Sequence, residues 1–362
     1  MIEAPPSLVE SSQPRAKSSL SVVTISDDAR AEWDRFVASH ASGSFYHLYD
    51  WKLINEQALG HECEYLAARR ADGTLEGVLP LVFVKSRLFG RILCSMPFVN
   101  YGGPLATTPE ATSALLESAS QRARDLKASY LELRSPSPLE TSMQVSLRKV
   151  SLTVPLVADP EALFASFSQK HRKNIRRAQK NDLEVRIGGA ELLSDFYSVL
   201  EQSWRGLGTP LYSIDYFERI LATFPNNTTV YVCSHRNRPI NVALTGHYNG
   251  TVEGMWAGGL PETRHLDGNY VLYWEMLRHA CLQGHERFHL GRSTADSGAE
   301  QFKSKWNARS EQLYWYFYRP DGGSMPELNV DNPKFKLAIA VWRRLPLALT
   351  RTIGPVVARL IP

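Results

Sequence analysis

The chain has 362 residues, of which 43% are hydrophobic and 22% charged, and its formal net charge is +4. That length and apolar content suffice for two ordinary folded domains, and so mild a charge does not by itself call for nucleic acid. The four scattered cysteines (Cys63, Cys94, Cys233 and Cys281) show no CxxC or His-paired spacing, so they offer no metal site and suit a reduced compartment.

Residues 1–19 are rich in Pro, Ser, Glu and Lys and read as a solvated tail without the apolar core of a signal peptide. No apolar run is long enough to cross a bilayer, so the expected location is the cytoplasm. Residues 20–26 alternate like a strand, and Asp27 or Asp28 can cap a helix through Trp33, Phe36 and Val37. A second helix is expected at 49–59. Strands follow at 64–70, 75–84 and 91–95, with Asp72-Gly73 as a hairpin turn. A helix at 110–127 and a strand at 130–133 complete a first unit.

The same order then returns. Residues 144–155 read as the strand entering a second unit, and Asp159-Pro160 opens a helix containing Leu163, Phe164 and Phe167. A basic segment, helices at 192–205 and 214–224, and strands at 229–234, 239–248 and 252–257 come next. Turns at 236–238 and at Asn249-Gly250 join these strands as hairpins. Residues 251–306 are the most informative stretch. A short apolar strand closes on Gly258-Gly259, and Tyr270, Val271, Trp274, Leu277 and Cys281 then recur at helical spacing behind Asp267 as cap. Phe288 and Leu290 form a second strand ending at Gly291. Strand, crossover helix and strand make a right-handed βαβ unit with parallel strands. A last strand is expected at 312–318. The chain therefore divides into a tail (1–19), two copies of one α/β domain (20–150 and 151–320) and a C-terminal helical extension (321–362).

Several residues stand out chemically. The unpaired N–H groups at the head of the crossover helix make Arg264, Gly268 and Asn269 a candidate site for a donor phosphate, although Asp267 alone would satisfy that helix end. The glycine patterns of a P-loop or a dinucleotide fingerprint are absent. Lys170, Arg172, Lys173, Arg176, Arg177 and Lys180 crowd one helical stretch, where like charges at spacings of three and four repel unless an anion compensates. They read either as a phosphate-binding surface, with Arg172 and Arg176 suited to bidentate contact, or as a solvated basic face. Arg292 stands just past a strand end, where α/β folds collect ligand contacts. Asp296 can orient or deprotonate an attacking amine, or it can bond its own turn. No Ser-His-Asp or Cys-His arrangement supports a covalent acyl-enzyme.

Six strings carry a family resemblance: SFYHLYDW (44–51), VLPLVFVKSRLFGR (78–91), MPFVNYGGPLA (96–106), KHRKNIRRAQKNDL (170–183), DGNYVLYWEMLRHA (267–280) and GRSTADSGAEQFKSKWNA (291–308). With the order of elements, they resemble the FemAB-like proteins, tandem GNAT-fold transferases of the Fem type. The subgroup they match is the one associated with exosortase (PEP-CTERM) exopolysaccharide loci. The resemblance implies an α/β fold of two GNAT domains with mixed sheets flanked by helices. It also implies that Phe302 and Lys303 match a Phe-Lys pair whose lysine supports the charge developing in acyl transfer. A cation beside a tetrahedral oxyanion is the help that chemistry needs. Where the family often has Trp-Gly, this chain has Trp306-Asn307.

Tyr46, His47, Trp51, Asn100 and Tyr101 lie in matched strings and are candidates for contact with an acceptor sugar or peptide, or for the core. The implied function is transfer of an acyl or aminoacyl group to an amine of a nucleotide- or lipid-linked envelope precursor. The donor is acyl-CoA or aminoacyl-tRNA, with no tightly bound cofactor and no metal. The alternative is a non-catalytic scaffold that binds a glycan or lipid-linked precursor during exopolysaccharide assembly. The C-terminal piece mixes Trp342, Leu345 and Leu349 with Lys336, Arg343, Arg344, Arg351 and Arg359. It can lie peripherally on the inner membrane surface or pack across its own domain.

Overall fold

The computed structural model describes residues 20–86, 89–294, 297–323 and 333–361. The first half runs through strand β1 (Ser21–Thr24), helices α1 (Arg30–Ser39) and α2 (Trp51–Gln57), and strands β2 (Glu62–Arg69), β3 (Leu75–Ser86) and β4 (Gly90–Cys94). A short β5 (Leu105–Ala106), helix α3 (Pro109–Asp125) and strand β6 (Tyr130–Ser135) complete it. Strand β7 (Gln144–Pro155) and helices α4 (Pro160–Ser166) and α5 (Gln169–Ala178) lead onward. The second half has β8 (Leu183–Gly188), α6 (Leu193–Leu207), α7 (Ile214–Thr223), β9 (Thr228–His235), β10 (Arg238–Tyr248) and β11 (Thr251–Gly259). It continues with α8 (Gly268–Leu282), β12 (Arg287–Thr294), α9 (Gly298–Ser304) and β13 (Arg309–Tyr318). Helices α10 (Pro333–Arg344) and α11 (Leu347–Ala358) follow.

The strands form one sheet in the order β1-β2-β3-β4-β6-β13-β7-β12-β11-β10-β9-β8, with β5 on β3. Read from its two edges the order is the same twice: an edge strand, an antiparallel meander, then a parallel partner. The parallel pairs are β4 with β6 and β11 with β12, bridged by α3 and α8. At the centre β13 pairs with β6 on one side (Trp315↔Arg134) and with β7 on the other (Glu311↔Ser151). The strand made last in sequence therefore joins the two halves.

Local causes are visible at each element. Helix α3 begins where Pro109 fixes the first turn and Thr108 Oγ1 accepts from the Ala111 N–H at 3.1 Å. Its Ala111, Leu115, Ala119 and Ala123 stripe packs on Leu66, Leu79 and Leu93 of the first half-sheet. Helix α4 is capped by Asp159, whose Oδ1 accepts from the Glu161 N–H at 2.9 Å.

Three local expectations need correction. Residues 144–155 do form a strand, but β7 is central in the sheet, and the edge strand matching β1 is β8. Its Leu183, Val185 and Ile187 alternate while staying partly exposed, which hid a short edge strand behind the basic helix. Neither Asp27 nor Asp28 caps α1; Asp27 Oδ1 instead accepts from the Tyr49 hydroxyl at 2.9 Å and the Lys52 ammonium at 2.8 Å. Asp267 precedes α8 with φ 58° and makes no cap bond, because its carboxylate pairs with Arg177 at 2.7 Å.

Candidate active site

Strands β11 and β12 pair only from Thr251 to Glu253 and from Arg287 to His289, and then they separate. Two glycines make the divergence. A Cβ on Gly254 would stand 2.9 Å from the His289 carbonyl oxygen, and one on Gly291 would stand 2.8 Å from the Gly254 carbonyl oxygen. Gly291 also has φ 79°, a conformation side chains resist, and it forms a bulge that sends Arg292 on to pair with Ser151 of β7. The opening holds a cavity of about 480 Å³ lined by both halves of the molecule. Tyr46, Val99 and Asn100 come from the first half, and Trp204, Tyr212 and Tyr273 from the second.

Among the described residues two charged side chains line this cavity, Arg292 and Lys303, and both are cationic. Helix α9 delivers Lys303. Its start is fixed by Ser297 Oγ, which accepts from the Glu300 N–H at 3.3 Å, and it is anchored by Phe302 against Tyr270 and Tyr273 of α8. Lys303 Nζ donates to the Gly291 carbonyl at 3.0 Å and to the Arg292 carbonyl at 3.1 Å. Burial, with Arg292 nearby, pulls its ammonium down to about 8. An ammonium has three donors, so one remains for the cavity. Arg292 Nη1 donates to the Val99 carbonyl at 3.1 Å, and its guanidinium lies 5.4 Å from the Trp315 ring centre. Burial first, then the neighbouring Arg134, lowers it to about 10. Among the described residues no carboxylate forms an ion pair with it. Such a wall favours negative charge arriving in the cavity.

Behind the wall lies a polar network, of which sequence reasoning named Tyr46, Asn100 and Tyr101 and missed Glu253 and His289. Asn100 Nδ2 donates to the Tyr46 hydroxyl at 2.9 Å, and the Tyr101 hydroxyl donates to Glu253 Oε1. The same oxygen is 2.8 Å from His289 Nδ1, while Glu253 Oε2 is buried without a hydrogen-bond partner. Burial presses the His289 imidazole down, but the Glu253 carboxylate more than offsets this and leaves it raised. The available signal was a lone carboxylate within an otherwise apolar strand at 251–257.

Of the candidates named from sequence, Lys303, Arg292, Tyr46 and Asn100 line the cavity, and Phe302 braces the helix that carries Lys303. Tyr101 is one layer behind. His47 and Trp51 are buried away from the cavity wall. His47 is held between Ser44 Oγ (2.7 Å) and the Gly103 carbonyl (2.9 Å), and burial drives it down to about 4. Trp51 donates to the Phe45 carbonyl at 2.8 Å.

A second group sits at the outer end of α8. The basic helix α5 lays His171, Ile175 and Ala178 inward and keeps Lys170, Lys173, Arg176 and Arg177 exposed, with Arg172 half-buried. Arg177 grips Asp267, and Asn181 Nδ2 donates to the Leu266 carbonyl at 3.0 Å, so the Arg264–Asn269 loop is held against this basic surface. Arg264 is exposed, buried Gly268 packs on Asn241, and Asn269 Oδ1 accepts from Asn241 Nδ2 at 2.7 Å. Arg176 lies over the Phe164 ring at 5.2 Å, and Arg172 donates to the Ala165 carbonyl. None of these residues lines the cavity. Asp296 lies outside the described residues.

The divergent parallel pair and its crossover helix can now be set beside known proteins. Residues 165–304 match the family model described as the acetyltransferase (GNAT) domain. A tandem GNAT protein from the clavulanic acid biosynthesis pathway superposes with a TM-score of 0.53 at 12% identity, covering 84% of this chain and all (100%) of that one. The fold is a tandem GNAT fold. The FemX crystal structure superposes with a TM-score of 0.64 at 16% identity, covering 82% of this chain and 97% of that one. In sequence, the chain is 24% identical over 214 residues to the lipid II:glycine glycyltransferase of Staphylococcus aureus, covering 52% of this chain. It spans about half the length of the curated relatives it matches (49%). The Fem-like resemblance seen in the motifs therefore extends to the fold.

Proposed function

We propose that this protein is an acyltransferase that moves an acyl or aminoacyl group from acyl-CoA to an amine of a lipid-linked cell-envelope precursor. The envelope material would be peptidoglycan or an exopolysaccharide. The observation that carries the reading is Lys303. Its ammonium is fixed by two backbone carbonyls at the wall of a cavity whose lining charges are, among the described residues, both positive, and one donor remains free. The acceptor nitrogen attacks the thioester carbonyl, and the oxygen that gains charge meets Lys303. Collapse expels the thiolate, the attacking nitrogen gives up a proton and the thiolate takes one up, so the step balances as amide and thiol and no covalent enzyme intermediate is needed. Phe302 holds Lys303 in place, and Arg292 adds positive potential from the strand end whose carbonyls hold Lys303. The basic surface of α5 with the Arg264–Asn269 loop would receive the phosphates of the donor. Asp296 is proposed to orient the acceptor amine. A lipid-linked acceptor puts the protein at the cytoplasmic face of the inner membrane.

The test is mass analysis of envelope precursors after incubation with a panel of acyl-CoAs and charged tRNAs. An acyl mass increment from an acyl-CoA is the expected result. An increment from charged tRNA alone would replace the donor. Acceptor binding without any increment would favour the scaffold.

A further inference from the structure

Helices α10 and α11 follow one another across Leu345 and Pro346 and both pack on α6, and among the described residues nothing covers several of their large apolar side chains. The inner face of α11 is small: Thr350, Gly354 and Ala358 are buried, and a Cβ on Gly354 would approach the Leu211 carbonyl to 3.1 Å. The outer face is large and apolar. Leu337 (66% exposed) and Val341 share one side of α10, and Leu349, Ile353 and Val356 (53%) share one side of α11 at helical spacing. With Ile361, these are six of the fourteen exposed large hydrophobic side chains among the described residues. Such clustering on a short segment departs from the usual scatter of single exposed apolar residues.

The charge is equally one-sided. Residues 333–361 contain six basic residues (Lys334, Lys336, Arg343, Arg344, Arg351 and Arg359) and no Asp or Glu. Arg351 is tied to Glu201 of α6, while Arg343, Arg344 and Arg359 are exposed. No described helix is long and apolar enough to cross a membrane. A helix pair with apolar side chains outward and cations among them suits the headgroup layer of an anionic bilayer, where it lies in the plane. A second copy of this chain is a poorer occupant, because a two-fold contact would set cation against cation. Nucleic acid would leave the apolar side chains unused.

The C-terminal end of α11 also meets the cavity. Ala358 and Ile361 line it from the end of α11, and so does Leu207 of α6, which is 55% exposed. Arg343 donates to the Leu207 carbonyl at 3.2 Å, joining the rim to α10.

We propose that the exposed apolar sides of α10 and α11, with the cations among them, are a docking surface for an anionic phospholipid bilayer. On this account it seats the cavity rim at Leu207 and Ile361 against the lipid, so that an acceptor enters while its lipid tail stays in the membrane. The entry route rests on the lipid-linked acceptor proposed above; the docking surface itself does not.

Flotation of the full chain with vesicles tests it. The chain should bind vesicles containing phosphatidylglycerol, bind phosphatidylcholine alone far less, and lose binding as salt rises. Leu337→Glu with Val356→Glu should weaken binding by about tenfold or more, and Arg343→Gln with Arg344→Gln by about fivefold per charge. Both apolar positions are exposed, so melting temperatures should be unchanged; should the double Glu variant fail to fold, Leu337→Ser with Val356→Ser takes its place. Absent binding to phosphatidylglycerol vesicles, or equal binding by the apolar variants, would overturn the proposal. So would RNA that displaces the vesicles and is released only by the Arg substitutions. Transfer to a short-chain, water-soluble acceptor analogue should be equal in wild type and apolar variants. Failure of transfer in both would count against the catalytic reading and leave the docking result standing.

Discussion

Replacing Lys303 by Met removes the proposed oxyanion donor and keeps the length of the side chain. Loss of one such donor typically costs about 10²–10³-fold in kcat, or about 2.7–4 kcal/mol. The fold should survive. The substitution frees the carbonyls of Gly291 and Arg292, a penalty of about 1–3 kcal/mol, but it also removes the cost of burying an ammonium. Thiol release from acyl-CoA in the presence of acceptor reads the rate, and acceptor binding should stay near wild type. The pH profile adds a second check. Lys303 is charged below about 8 and neutral above it, so wild-type kcat should acquire a falling limb as pH rises through that value. Lys303→Arg, if active, should lose the limb, since a guanidinium stays charged. A Lys303→Met enzyme that melts like wild type and keeps kcat/KM within about threefold would refute this role, being far short of the loss expected for an oxyanion donor.

Gly291→Ala should destabilise the protein by about 1–3 kcal/mol in urea titration, because φ 79° and the Gly254 carbonyl leave no room for a methyl group. His289 is raised in the fold by Glu253. Its pairing should therefore stabilise fully below pH 6.5 and fade as pH rises through the raised value, so the urea midpoints of wild type and His289→Gln should converge at alkaline pH. Arg172→Gln with Arg176→Gln should raise KM for an anionic donor about tenfold with kcat preserved, an effect that salt diminishes. Asp267→Ala should cost no more than about 1 kcal/mol in thermal or urea unfolding, since its Arg177 partner is largely exposed.

Much of the fold was legible because the hydrophobic periods are strong. Residues 144–155 and 214–224 read as a strand and a helix close to the observed β7 and α7. What pattern could not reveal was how the halves join. The placement of β13 between β6 and β7 depends on contacts such as Trp315 with Arg134, more than a hundred residues apart, and leaves no periodic trace. The site was half legible. Of the residues proposed for it, Lys303 and Phe302 were named from the motif and Arg292 from its place at a strand end. Glu253 and His289 escaped because each looks like an ordinary strand residue until the register sets them face to face. The cap assigned to Asp267 failed for a tertiary reason: Arg177 competes for the carboxylate, and a positive φ turns it away from the helix.

The most direct measurement is a crystal structure with a non-hydrolysable acyl-CoA analogue bound. The account predicts the acyl group between the separated ends of β11 and β12, its carbonyl oxygen about 2.7–3.1 Å from Lys303 Nζ. An acyl group bound elsewhere, with Lys303 still turned only to the Gly291 and Arg292 carbonyls, would contradict it.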